Sequence, residues 1–235
     1  MTQHTAPGSR AVVPDSTDTH PVPARTRRTR ALLGCGIVGG PLFVVAILVQ
    51  VPTRSGFDLN RNAASLLEVG HLGWIQTVNF IVSGLLLVAG AAGLKGTMRI
   101  GPGRRWAPRL LAVTGTGLIG GGVFHPDPSG GFPPGTPSDA SAVSSWHGVL
   151  HQVSGSAAFL ALIVYCFVLV RRYRAGGQRA LGTCSLAAGI AAAAGVLSGG
   201  APHGPLTLFV GVSIALLWTS VTLALAVPTP DRIPM

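Results

Sequence analysis

Residues 146–174 read WHGVLHQVSGSAAFLALIVYCFVLVRRYR. Two histidines four residues apart open the stretch, an uncharged apolar run follows, and three arginines close it. At about 1.5 Å of rise per residue, a helix over 146–170 is long enough to cross about 30 Å of hydrocarbon. Arginines at one end and tryptophan at the other mark its two interfaces. This segment predicts a membrane span, and the rest of the chain repeats its logic.

Five further runs of similar character lie at 31–51, 72–94, 107–124, 180–200 and 205–227. The predicted fold is therefore all-α, a bundle of six transmembrane helices over 31–227. A tail over 1–30, rich in Thr, Pro and Arg, has too little apolar surface to fold and is expected to be disordered. A short tail over 228–235 ends the chain. Composition agrees: 48% of residues are hydrophobic and 10% charged, against about 25% charged in a soluble domain. Once six spans are subtracted, no separate soluble domain fits. Thr26-Arg27-Arg28 suggests a twin-arginine export signal, but the apolar run after it is too long for a signal peptide and lacks a small-x-small cleavage site, so an uncleaved anchor is expected.

Charge sets the orientation. The net charge is +10, and 15 of the 17 basic residues lie outside the 52–71 and 125–145 connections. The 95–109 connection carries Lys95, Arg99, Arg104, Arg105 and Arg109, and the 171–179 connection carries Arg171, Arg172, Arg174 and Arg179. The positive-inside rule then puts both termini in the cytoplasm. The sixteen arginines to one lysine read as GC-rich codon usage, so a bacterial plasma membrane is the expected home and the lipid bilayer the expected partner. Basic residues in short blocks between spans argue against nucleic acid. Cys35, Cys166 and Cys184 fall inside predicted spans, where no extracellular disulfide is expected.

Two G-x-G-x-x-G matches, Gly34 to Gly39 and Gly115 to Gly120, lack the preceding strand and the following acid of a dinucleotide site. They read instead as helix-packing glycines, as do Gly36-xxx-Gly40 and Gly195-xxx-Gly199.

Polar chemistry collects at the outer ends of the spans. His71, His125, His147, His151 and His203 all fall there, and the carboxylate Asp127 lies two residues from His125. Gln76, Asn79 and Ser83 share a face of the second span, which must turn inward or line a polar cavity. His147 and His151 are i, i+4 and suit two metal ligands. With Asp127 they are the metal set, if there is one, and zinc or haem are the groups to consider. Histidine at a wet interface also simply caps helix ends by bonding carbonyls, and that reading has the larger weight. The residues around 120–126 and 199–205 echo one another, which suggests that spans 2–3 and 4–5 form a repeat. The proline-rich stretch 125–137 is expected to be structured without helix or sheet and to fold over the bundle end.

Phe124-His125-Pro126-Asp127-Pro128, Gly131-Phe132-Pro133-Pro134-Gly135-Thr136-Pro137 and Trp146-His147-Gly148-Val149-Leu150-His151 resemble the bacterial membrane family catalogued as domain of unknown function 998. The resemblance covers residues 31–227. It implies six helices and no established activity, and its motifs map onto Asp127-Pro128 and Gly148-Val149-Leu150-His151. The leading expectation is a non-enzymatic component, binding a small molecule or lipid, or structural or sensory, with an outward polar site at Asp127 and His151 paired to one another. The alternative is an intramembrane metal-dependent hydrolase, with Asp127 or Glu68 as general base, and a third reading is a haem electron carrier. A transporter is disfavoured, since no span carries a carboxylate or arginine at mid-depth.

Overall fold

The computed structural model describes residues 24–141, 143–199 and 201–228. Six helices account for most of it: α1 (Ala24–Gln50), α2 (Gly73–Thr97), α3 (Trp106–Val123), α4 (Trp146–Ala175), α5 (Arg179–Leu197) and α6 (Gly204–Leu225). Two 3-10 turns, Val51–Thr53 and Ala64–Glu68, lie in the connection between α1 and α2. Each helix packs on its sequence neighbours, and α6 packs back on α1, so the bundle closes into an up-and-down ring. The Arg30 guanidinium donates to the Pro228 carbonyl from Nε at 3.0 Å and from Nη2 at 2.8 Å, which ties the start of α1 to the chain after α6.

Bare backbone makes the ring close. A Cβ on Gly36 would sit 2.6 Å from the Gly90 Cα, joining α1 to α2, and one on Gly40 would sit 2.6 Å from the Leu216 carbonyl of α6. Gly84 and Gly115 do the same between α2 and α3, and Gly117 meets the Ser154 carbonyl of α4. Lipid gives no hydrophobic drive for helices to associate, so close van der Waals approach at small residues does that job. Gly36, Gly40 and Gly195 act as expected, whereas Gly199 meets only its own turn at Val196. Both G-x-G-x-x-G matches lie within helices.

The outward faces are apolar. Leu160 is 63% exposed and Ile190 54%, a belt that suits hydrocarbon and not water. Five helices are long and apolar enough to cross a membrane. The helix that falls short is α3, whose 18 residues include Pro108, Arg109 and five glycines. At about 27 Å it is still close to the hydrocarbon thickness, and α2 and α4 flank it on both sides.

Several helix ends differ from expectation. Residues 24–30, placed in the disordered tail, form the first turns of α1, anchored through Arg30 and Pro228. The remaining tails, 1–23 and 229–235, lie outside the described residues. Helices α2 and α4 also run past their apolar runs into Lys95 and into Arg171, Arg172 and Arg174, because long basic side chains reach out of the hydrocarbon while their backbone stays helical.

Candidate functional site

The end opposite the basic connections is covered by two loops. Phe132 is buried and packs edge-on against Phe57, with ring centroids 5.2 Å apart. Gly130 and Gly131, at φ +61° and +81°, turn the chain between Ser129 and Phe132, whose backbones bond each other at 3.2 and 3.1 Å. Asn62 Nδ2 donates to the Gly130 carbonyl at 3.0 Å. The proline-rich segment thus folds over the bundle as ordered, irregular chain, docked on the 52–71 connection.

Asp127 is spent on helix α4. Its Oδ2 accepts from the Ser144 and Ser145 N–H groups at 2.7 and 2.9 Å, and its Oδ1 accepts from Ser145 Oγ at 2.7 Å. Ser145 Oγ accepts in turn from Gly148 N–H, capping the helix. The Ser144 N–H, with Ser145 behind it, holds the Asp127 carboxyl below the usual carboxylate range. A Cβ at Gly148 would run into this carboxylate, which explains why glycine follows His147.

His151 does not pair with Asp127, contrary to expectation. Its Nδ1 donates to the Phe124 and Gly121 carbonyls at 2.7 and 3.0 Å, the free carbonyls at the end of α3. The carboxylate that approaches it is Glu68, with Oε2 at 3.6 Å from Nδ1. That exceeds hydrogen-bond length, and the pair is not an ion pair. The Glu68 side chain is fully buried, its Oε2 has no hydrogen-bond partner among the described residues, and burial pushes its carboxyl up to about 9. Glu68 is therefore protonated at neutral pH. Arg54 Nη2 donates to the neighbouring Leu67 carbonyl at 2.6 Å, which fixes the turn that carries Glu68 without neutralising it.

Thr77 connects this acid to the surface. Its Oγ1 donates to Glu68 Oε1 at 3.3 Å and lies 3.2 Å from His125 Nε2. His147 Nδ1 donates to the His125 carbonyl at 2.9 Å and sits 4.0 Å from Asp127 Oδ1. His125, His147 and His151 thus gather at the junction of α3 and α4. His203 bonds Asn60 Oδ1 instead, at 2.9 Å, and His71 lines a separate recess with Arg54 and Pro133. Gln76 and Asn79 face inward, as their period requires: Gln50 Nε2 and Asn79 Nδ2 both donate to Gln76 Oε1, and Ser83 Oγ donates to Asn79 Oδ1. This network crosslinks α1 and α2, so interhelical bonding accounts for the polar face.

The metal set proposed from sequence does not assemble. Among the described residues no three His, Cys, Asp or Glu side chains are grouped to hold a metal. His147 and His151 share a helix face and each gives Nδ1 to a carbonyl, an arrangement that leaves Nε2 free, but the third member is missing, because Asp127 gives its oxygens to the start of α4. Inside the ring, beneath Ala63–Ser65, lies a cavity of about 130 Å³ walled by Phe43, Phe80, Phe159, Phe209, Leu118 and Val212, with His151, Gln152 and Ser65 as its polar side chains. It has room for a single small ring, not for a macrocycle between two histidines.

Fold and belt together define a helical membrane protein. The chain belongs to the family described as protein of unknown function (DUF998), whose model matches residues 37–227. No curated protein and no solved structure matches it.

Glu68, Thr77 and Arg54 are the site residues that the motif reading left out of the polar site. Glu68 carried a signal, being an acid between Leu66-Leu67 and Val69, where apolar neighbours predict burial. Thr77 carried none, since a threonine on a span is most often bonded to its own helix.

Proposed function

We propose that this protein is a non-enzymatic membrane binding component. It sits in a bacterial plasma membrane with the basic end in the cytoplasm and the histidine-bearing end outside. The binding site is the cavity beneath Ala63–Ser65, and its occupant is a small, mostly apolar molecule with one hydrogen-bond donor. The observation that carries this reading is the cavity's lining: aromatic and aliphatic walls with His151 as the single titratable member. Because Nδ1 is committed to the Gly121 and Phe124 carbonyls, the other ring nitrogen, Nε2, is the one left to accept from an occupant. Glu68 behind the ring, protonated at neutral pH, adds no charge there.

Phenol and toluene have nearly the same shape and differ in one donor. Phenol is expected to raise the melting temperature of the detergent-solubilised protein more than toluene does, and His151→Ala is expected to abolish the difference. Equal shifts from both compounds, or none from either, would sink the reading. Orientation is tested separately in a background free of Cys35, Cys166 and Cys184. Ser138→Cys should react with an impermeant maleimide on intact cells, and Gln178→Cys only after permeabilisation.

A further inference from the structure

The basic end carries a second recess, independent of the cavity above. Between α2 and α3 lies a groove of about 460 Å³ whose rim holds Lys95, Arg104, Arg105 and Arg109 and whose walls include Ala91 and Ala112. All four cations are exposed. Lys95, Arg105 and Arg109 make no hydrogen bond or ion pair among the described residues, and the Arg109 guanidinium lies 5.9 Å from the centre of the Trp106 ring. The described carboxylates, Asp58, Glu68, Asp127 and Asp139, all belong to the opposite end. Nothing acidic in the described fold answers this charge.

The other basic connection is used differently. Arg172 Nη1 donates to the Ile100 and Pro102 carbonyls at 3.0 and 3.2 Å, which straps the 95–109 connection onto α4. That strap holds the loop carrying Arg104 and Arg105 in place, so the rim of the groove is preorganised. The groove's walls are apolar in the direction of the hydrocarbon, its rim is cationic, and Trp106 sits at the level where aromatic rings settle in headgroups.

We infer that the α2–α3 groove binds one anionic phospholipid, with the phosphate held between Lys95 and the Arg104, Arg105 and Arg109 guanidiniums and an acyl chain against Ala91 and Ala112. Arginine suits this task because its planar fork donates twice to a phosphate. Basic recesses between spans on the cytoplasmic side are where anionic headgroups are held.

The test uses the full-length protein in mild detergent with phosphatidylglycerol or phosphatidylcholine added, and native mass spectrometry to count retained lipid. The wild type should retain phosphatidylglycerol in preference to phosphatidylcholine. Arg105→Gln with Arg109→Gln should weaken that retention about thirtyfold, at about 1 kcal/mol for each of the two basic residues near an anionic lipid surface. Arg171→Gln with Arg174→Gln removes the same charge from the other connection and should leave it unchanged. If the first pair fails to fold, judged by its melting temperature, Lys95→Gln with Arg104→Gln replaces it. Equal loss in both arginine pairs would show diffuse attraction and overturn the site. Equal retention of the two lipids, or displacement of phosphatidylglycerol by millimolar inorganic phosphate, would overturn the assignment to a lipid.

Discussion

Replacing Glu68 by glutamine should change how stability depends on pH. In the unfolded chain this carboxyl titrates near 4.5, and in the fold it is pushed up to about 9. Between those values the folded protein holds a proton that the unfolded chain has released. Stability then falls as pH rises, by about 1.4 kcal/mol per unit. From pH 5 to pH 8 the loss attributable to Glu68 is at most about 4 kcal/mol, on the order of 10 °C in melting temperature for a chain of this size. Glutamine keeps the shape, still accepts from Thr77, and does not ionise. The wild type and Glu68→Gln should melt together near pH 5, and the variant should melt higher at pH 8. Taking the difference between the two proteins cancels the contributions that both share. Asp127 has the opposite sign: its lowered carboxyl stabilises the fold above the ordinary carboxylate range and loses that contribution in acid, below the window of the assay. A difference that stays flat from pH 5 to pH 8 would refute the reasoning, since it would mean that Glu68 is ionised in the fold.

Asp127→Ala removes three acceptor contacts from the start of α4 and should cost about 2–3 kcal/mol. Because Asp127 and His151 bond different groups, its effect and that of His151→Ala should add within about 0.5 kcal/mol, whereas Glu68→Gln and His151→Ala should couple by more than that. Gly148→Ala pushes a methyl group into the Asp127 carboxylate, so the substitution should be strongly destabilising alone and much less so in an Asp127→Ala background, as thermal melts of the double variant would show. Gly36→Val separates α1 from α2 at their closest approach and should cost about 1–3 kcal/mol, with a fall in melting temperature as the readout. An unchanged melting temperature would remove the glycine argument for ring closure.

The gross architecture was legible because lipid imposes one-dimensional rules. A span must be apolar for about 20 residues and bond its own backbone, so 146–170 and its five counterparts can be read without knowing a neighbour. The charge asymmetry and the glycine spacing are likewise local properties of the string. The inward turn of Gln76, Asn79 and Ser83 followed from helical period alone. Partner choice is different, because a short polar side chain bonds whatever the fold brings within about 3 Å. Asp127 stands 24 residues before His151 in sequence and looked like its partner, yet it faces the N–H groups of Ser144 and Ser145. His151 reaches the unpaired carbonyls that end α3, which no sequence pattern displays. Glu68 meets His151 across 83 residues of chain only because α1, α2 and α4 share one ring. Its protonation follows from desolvation, a property of everything packed around it. The sequence by itself determined which segments form the six helices, five of them long and apolar enough to cross a membrane, and which end is basic; the tertiary structure alone decided which acid lies beside which histidine.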